Sequence, residues 1–101
     1  MRFHPGIAGL KKMLEQDLIG KILYARVEFG YWLPDWRPQT DYRQSYSANR
    51  GMGGGIILDA IHELDYISWF LGDLKVQSAF ADKISTLELD VEDIAEISLT
   101  S

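Results

Sequence analysis

The chain has 101 residues, which limits it to one domain or less. Its net charge of −5 and its scattered basic residues exclude the basic stripe that nucleic acid or an anionic membrane surface would require. The absence of cysteine excludes a disulfide framework and a thiolate metal site, and no apolar run approaches the roughly 20 residues that span a bilayer. The N-terminus lacks the apolar stretch of a signal peptide, so a cytoplasmic location is the default expectation.

The first third of the chain predicts a helix followed by a strand. Apolar residues recur at helical spacing from Pro5 to Leu18, and Gly20 is placed to end the helix. Apolar and mixed residues then alternate from Lys21 to Tyr31, which predicts a half-buried strand.

The remaining elements complete an α+β pattern. Residues 32–54 show no period but are rich in aromatic and arginine side chains, which is typical of a binding loop. A helix is predicted from Gly55 to Leu71, closed by Gly72, and strands are predicted over 75–82 and 93–101. We therefore expect a largely antiparallel or mixed sheet with helices packed on one face.

The second helix carries the side chains best suited to chemistry. One side of its helical wheel is apolar, while the other presents His62 between Asp59 and Asp65, each three residues away. Such a side can form the wall of a ligand pocket, where histidine exchanges protons near neutral pH. An ordinary hydrogen-bonded histidine remains the alternative, and so does a metal site formed by these three residues.

A glycine-rich run precedes this helix, from Gly51 to Gly55. Amides at a helix start can hold an anion, but the third glycine of a dinucleotide fingerprint is replaced by Ile56. The run is better explained by tight turning and by close approach of another backbone or a ligand.

Several segments, taken together and in order, resemble the Gfo/Idh/MocA family of oxidoreductases over essentially the whole chain. The segments that carry the resemblance are Arg2-Phe3-His4-Pro5, Ile19-Gly20-Lys21-Ile22, the run from Gly53 to Asp65, Trp69-Phe70-Leu71-Gly72 and Val91-Glu92-Asp93.

The resemblance implies that residues 1–101 are part of the C-terminal, substrate-side domain of such an enzyme, without its Rossmann domain. It implies catalytic roles for His62, as proton acceptor, and for Asp59, although the family spaces this pair by four residues and here the spacing is three. The chain itself would hold no cofactor, and NAD or NADP would be bound elsewhere in the parent enzyme. The parent would act on a sugar-like small molecule and form a homo-oligomer through the sheet.

Substrate contacts are expected from the long loop and from the second helix. Aromatic faces stack on sugar C–H groups and arginine donates to hydroxyls or a carboxylate, which favours Trp36, Arg37 and Tyr42 in the loop. Asp65 is the contact expected from the second helix. Pinning of the loop to the sheet by Trp32 and Trp36 is the structural alternative.

Because the family's nucleotide-binding glycines and its Glu-Lys-Pro catalytic lysine do not occur in this sequence, the chain is expected to be inactive alone. Two other hypotheses stay open: a self-associating interaction module, which would pair through an exposed sheet edge, and a small metal hydrolase using His62.

Overall fold

A computed structural model describes all residues, 1–101. Helix α1 spans Pro5–Glu15, with the His4 ring accepting the amide of Gly6 at 3.2 Å. The helix ends three residues before the predicted Leu18, because Asp17 adopts a left-handed conformation with φ of 58°. The amides of Asp17 and Leu18 then donate to the carbonyls of Leu14 and Met13, which is the Schellman arrangement.

The predicted strand from Lys21 to Tyr31 is wrong. The segment runs without regular secondary structure, and none of its backbone groups forms a hydrogen bond within the chain. Alternation of side chains favours a strand but does not supply the neighbouring strand that a ladder requires. Its side chains are therefore largely exposed, including 87% of Leu23 and 81% of Tyr24.

The long loop is built from short turns. Helix α2 spans Leu33–Trp36, and three 3₁₀ turns follow at Tyr42–Gln44, Tyr46–Ala48 and Arg50–Met52. The loop is thus an ordered scaffold with a local backbone hydrogen bond in each turn.

The single helix predicted from Gly55 to Leu71 is two helices. Helix α3 spans Ile56–Asp59 and helix α4 spans Ile61–Leu71, with Ala60 between them at φ −103° and ψ 24°. The two parts are anchored differently: Glu92 holds the first turn of α3, whereas Arg2 and Lys11 contact α4. Gly72 closes α4 as predicted, with φ of 85°.

Both C-terminal strands are confirmed. Strand β1 spans Lys75–Asp82 and β2 spans Ile94–Thr100, and they pair antiparallel with a bulge between Val76 and Ser78. Alternate residues of β2 are the less exposed ones, as the alternation predicts. Two strands and four helices make up the α+β fold.

The molecule is open rather than closely packed. Only five of its 101 residues are buried: Ser47, Ala48, Gly54, Gly55 and Val91. The accessible surface is 7605 Å², whereas a compact protein of 11.5 kDa exposes about 5,800 Å². The radius of gyration is 16.0 Å, against about 13 Å for a compact domain of this length.

The apolar side chains instead surround a cleft of about 980 Å³. It is bordered by residues 22–29, by the apolar side of α3 and α4, and by both strands, and most of its 27 lining residues are hydrophobic. Helices and sheet thus face each other across a space that this chain does not fill.

Candidate functional site

His62 lies on the side of α4 that faces away from the cleft. Its neighbours Glu63, Leu64 and Ile67 line the cleft, whereas His62 does not, and its side chain is exposed. Asp59 is half-buried at the end of α3, and neither side chain forms a hydrogen bond within the chain. The imidazole and this carboxylate are therefore free to contact a ligand, on a surface that this chain alone leaves open.

Asp65 is held by a residue far away in sequence. The Arg2 guanidinium donates to both carboxylate oxygens of Asp65, at 2.7 and 3.0 Å. These hydrogen bonds hold the pKa of Asp65 below its ordinary value, and the Arg2 charge and a smaller effect of His62 act in the same direction. An ionised carboxylate has further lone pairs, so Asp65 can accept a hydrogen bond from a ligand while its bonds to Arg2 persist.

Two cations surround Trp69 beside this ion pair. The Arg2 guanidinium and the Lys11 ammonium each lie 5.6 Å from the Trp69 ring, and Lys11 also donates to the Trp69 carbonyl at 2.9 Å. These contacts join the N-terminus and α1 to α4, which carries His62. Sequence reasoning missed Arg2 as a site residue, although the Arg2-Phe3-His4-Pro5 segment is part of the family resemblance.

Arg37 is fixed between two aromatic rings in the long loop. Its guanidinium lies 5.2 Å from the Trp36 ring and 5.1 Å from the Tyr46 ring, and it donates to the Tyr46 hydroxyl at 3.1 Å. Trp36 also packs against Phe29 and Tyr31. Arg37 is thereby held in one orientation with donors to spare, and Trp36 ties the loop to the extended segment.

A shallow polar hollow of about 480 Å³ adjoins Arg37. It is lined by Arg37, Thr40, Asp41, Gln44, Ser45 and Tyr46. Hydrogen bonds from the Arg43 side chain and amide hold the pKa of Asp41 below its ordinary value, so Asp41 stays ionised and paired. The hollow offers hydroxyl, amide and guanidinium groups to a hydroxylated ligand.

Tyr42 performs a structural task in this loop. Its hydroxyl accepts the amide of Glu88 at 2.8 Å, which links the loop to the connection between β1 and β2. Tyr46, rather than Tyr42, is the tyrosine that lines the hollow with Arg37. In the sequence, the cluster of aromatic residues in the loop is the feature that could have identified Tyr46 as a lining residue.

The glycine run is explained by close packing. A Cβ at Gly54 would overlap the backbone carbonyl of Tyr46, and one at Gly55 would overlap the Glu92 carboxylate. That carboxylate accepts the amide of Ile57 at 3.1 Å, and the Glu92 carbonyl accepts the amide of Ile56. The anion at this helix start is therefore the chain's own Glu92.

No group of three or more histidine, aspartate or glutamate side chains is arranged to hold a metal ion. None of the helices has the length and apolar character needed to cross a bilayer.

Comparison with known proteins gives one family. The family described as GFO/IDH/MocA C-terminal domain matches residues 7–101. D-xylose dehydrogenase of Paenarthrobacter nicotinovorans is 32% identical over 63 residues, which cover 62% of this chain and 16% of that protein. Trans-1,2-dihydrobenzene-1,2-diol dehydrogenase of Mus musculus is 30% identical over 102 positions, covering 97% of this chain and 27% of that protein.

No solved structure matches the chain significantly. The chain thus spans about a sixth to a quarter of the length of these curated relatives.

Proposed function

Because the chain belongs to the Gfo/Idh/MocA family, we propose that residues 1–101 form part of the substrate-side domain of an NAD(P)-dependent oxidoreductase. The match over residues 7–101 carries this proposal. The two relatives described above are named for a sugar and for a diol, so the proposed substrate is a sugar, a polyol or a related hydroxy compound.

His62 is the proposed proton acceptor for the substrate hydroxyl, and Asp59 orients the substrate or the imidazole. The exposure of His62 and the lack of internal hydrogen bonds at both side chains support these roles, because a catalytic base needs a free nitrogen within reach of its substrate. Trp36, Arg37, Tyr42 and Asp65 are proposed substrate contacts. Tyr42 also supports the loop through its hydrogen bond to the Glu88 amide. Arg2 positions Asp65.

The glycine run of this chain does not fit a dinucleotide. Gly54 and Gly55 pack against backbone and carboxylate, and Glu92 already occupies the adjoining amides. NAD or NADP is therefore proposed to bind a separate domain, which would also cover the exposed side of α4. The enzyme is proposed to be cytoplasmic.

Self-association without catalysis is the second candidate function. The unpaired backbone of residues 21–31 and the open apolar cleft favour it, since exposed strand edges and large apolar surfaces promote pairing between chains. This role is compatible with the first, because a substrate-side domain can also support a homo-oligomer.

A chimeric enzyme tests the main proposal. In it, residues 1–101 replace the aligned 27% of the mouse dihydrodiol dehydrogenase, which contributes the rest of the enzyme. We expect NAD(P)-dependent oxidation of a sugar or diol. A folded chimera that binds cofactor but oxidises no hydroxy compound across a panel of sugars and diols would contradict the proposal.

A further inference from the structure

The connection between β1 and β2 runs alongside the long loop and is bonded to it at three successive points. The amide of Glu88 donates to the Tyr42 hydroxyl at 2.8 Å, in the first 3₁₀ turn. The amide of Asp90 donates to the Ala48 carbonyl at 3.3 Å, at the end of the second turn. The carbonyl of Glu92 accepts the first amide of α3 at 3.1 Å. Every second residue of the connection thus contacts the next part of the loop.

Asp90 makes the most contacts at the middle of this contact line. Its carboxylate accepts the Arg50 amide at 2.7 Å, and its carbonyl accepts the Arg50 guanidinium at 3.2 and 3.3 Å. The Arg50 amide begins the third 3₁₀ turn and has no acceptor in the backbone, so the carboxylate supplies its partner. Together with the bond from its own amide to Ala48, Asp90 therefore joins the second turn to the third.

Asn49 lies between these two turns and links them to the polar hollow. Its side-chain amide donates to the carbonyls of Arg43 and Ser45, at 3.1 and 2.6 Å. Ser45 lines the hollow, and so does Asp41, which the Arg43 side chain holds by hydrogen bonds. One side chain thus fixes the backbone along the wall of the hollow, and the residue that follows it is the one that Asp90 anchors.

We infer that Asp90 is a positioning residue for the polar hollow beside Arg37. It acts through the Arg50 amide, which sets the place of Asn49, whose side chain in turn holds residues 43–45 where they border the hollow. Asp90 does not line the hollow itself, so it acts on a ligand only through the loop. Its effect on substrate rests on the proposed function, in which the loop binds substrate, whereas its anchoring of the loop does not.

NMR of the 1–101 chain tests the anchoring without any activity. Asp90→Ala is expected to speed exchange of the Arg50 amide proton roughly ten- to a hundredfold, because that amide loses a charged acceptor. The two side-chain amide signals of Asn49, which is not in contact with the substituted carboxylate, should move toward those of a free amide. Asp90→Asn keeps an oxygen acceptor and should restore most of both signatures. Asp73→Ala is the charge-matched control, because Asp73 is exposed and its side chain is unbonded, and it should change neither.

Two results of this comparison would overturn the inference. Unchanged Asn49 signals in Asp90→Ala would show that the carboxylate does not act on the wall of the hollow. Loss of the β1 and β2 signals in the same variant would show that Asp90 supports the fold in general and not the loop.

Kinetics of the chimeric dehydrogenase test the effect on substrate. Asp90→Ala should raise KM for the hydroxy compound that the chimera oxidises best by roughly tenfold and change kcat less than about twofold. The reason is that the loop contributes binding, whereas His62 lies on α4, which Arg2 and Lys11 anchor separately. KM for the nicotinamide cofactor should stay unchanged, and Asp90→Asn should recover the KM of the parent chimera.

A purely structural role gives a different kinetic result. It would reduce the fraction of active enzyme, so kcat would fall while KM stayed the same, and this pattern would overturn the inference. A chimera that is inactive even with Asp90 in place would contradict the proposed function instead, and the NMR comparison would then decide alone whether Asp90 positions the loop.

Discussion

Gly54 shows how tightly a single residue can be constrained in an otherwise open molecule. Its position, against the carbonyls of Tyr46 and Ser47, is one of the few buried places in the chain. The same packing joins the long loop to the start of α3, and through Glu92 to the segment before β2. A side chain at this position would have to displace backbone atoms.

Gly54→Ala is therefore expected to destabilise the chain by about 1–3 kcal/mol, the usual range for overpacking. Gly51→Ala is the matched control, because no heavy atom lies within 4 Å of a Cβ built there and its φ is not positive. The control is expected to change stability by less than about 0.5 kcal/mol. Urea unfolding of both variants measures the difference, and equal stabilities would show that the close approach at Gly54 is not maintained.

The Arg2–Asp65 ion pair is expected to make the stability of the fold depend on pH. Since hydrogen bonds from Arg2 hold the pKa of Asp65 below its ordinary value, the folded state binds the Asp65 proton more weakly than the unfolded state. The pair stabilises the fold at pH values above the unfolded pKa, about 3.9, and this contribution is lost as pH falls through the lower folded value. Replacement by Arg2→Met should move the pKa of Asp65 back up.

A carboxyl-carbon NMR titration of Asp65 in wild type and in Arg2→Met measures this shift. Lys12→Met is the control, because it removes a positive charge that makes no contact with Asp65. If Asp65 titrates at the same pH in all three proteins, Arg2 does not hold the carboxylate in solution.

At the level of elements, prediction from sequence succeeded where the determining contacts are local or adjacent along the chain. Strand β1 spans the predicted residues, and β2 differs by one residue at each end. The end of α1 was misplaced because Asp17, instead of Gly20, adopts the left-handed conformation that closes the helix.

The remaining differences depend on partners that are distant in sequence. The alternation in residues 21–31 predicts a half-buried strand, but a strand also needs a neighbour, and none lies within hydrogen-bonding distance. The first turn of α3, on one side of the break at Ala60, is anchored by Glu92, some 30 residues later. In the candidate site, the polar side of α4 was predicted, whereas the pairing of Asp65 with Arg2 had no local signal.

The connection between β1 and β2 depends on one carboxylate. Asp93 accepts the amides of Ile84 and Ser85 at 2.8 and 3.1 Å. Partial burial alone would raise the pKa of Asp93, but hydrogen bonds from Ser85 and Ile84 and the charge of Lys83 outweigh it and lower the value. The carboxylate thus remains ionised and closes the turn at neutral pH.

Asp93→Ala should accordingly reduce stability by about 1–2 kcal/mol at neutral pH, since two amides lose a charged acceptor. Asp73→Ala is the control, because Asp73 is exposed and its side chain forms no hydrogen bond. The unfolding temperatures of the two variants distinguish the loss of the hydrogen bonds at Asp93 from the effect of removing any one negative charge. Equal losses would contradict the role given to Asp93.

On the scale of the whole molecule, openness is the main feature. The apolar sides of α4 and the sheet meet across an unfilled cleft, and the polar side of α4 presents His62 to solvent. Two surfaces of the chain are therefore open: the apolar cleft, and the polar surface of α4, to which we assign substrate and a cofactor-binding domain. The two surfaces lie on opposite sides of one amphipathic helix, the cleft on the apolar side of α4 and the His62 surface on its polar side.

The purified chain is expected to show no dehydrogenase activity. Catalysis of this kind depends on holding the hydride acceptor next to the substrate, and the glycine-rich run of this chain is packed against Tyr46 and Glu92. Incubation with NADH or NADPH and a panel of sugars and ketones should leave the absorbance at the nicotinamide band unchanged. Substrate-dependent oxidation of either cofactor would show that the chain binds it and would contradict this division of tasks.

The role of His62 is tested most directly by the kinetics of the chimeric dehydrogenase that carries residues 1–101. His62→Asn should lower kcat/KM by roughly 10²–10⁴-fold, the range that a positioned proton acceptor contributes. His4→Asn, which removes the other histidine and keeps a side chain able to cap α1, should leave kcat/KM unchanged. A His62→Asn enzyme with the kcat/KM of its parent would contradict the account.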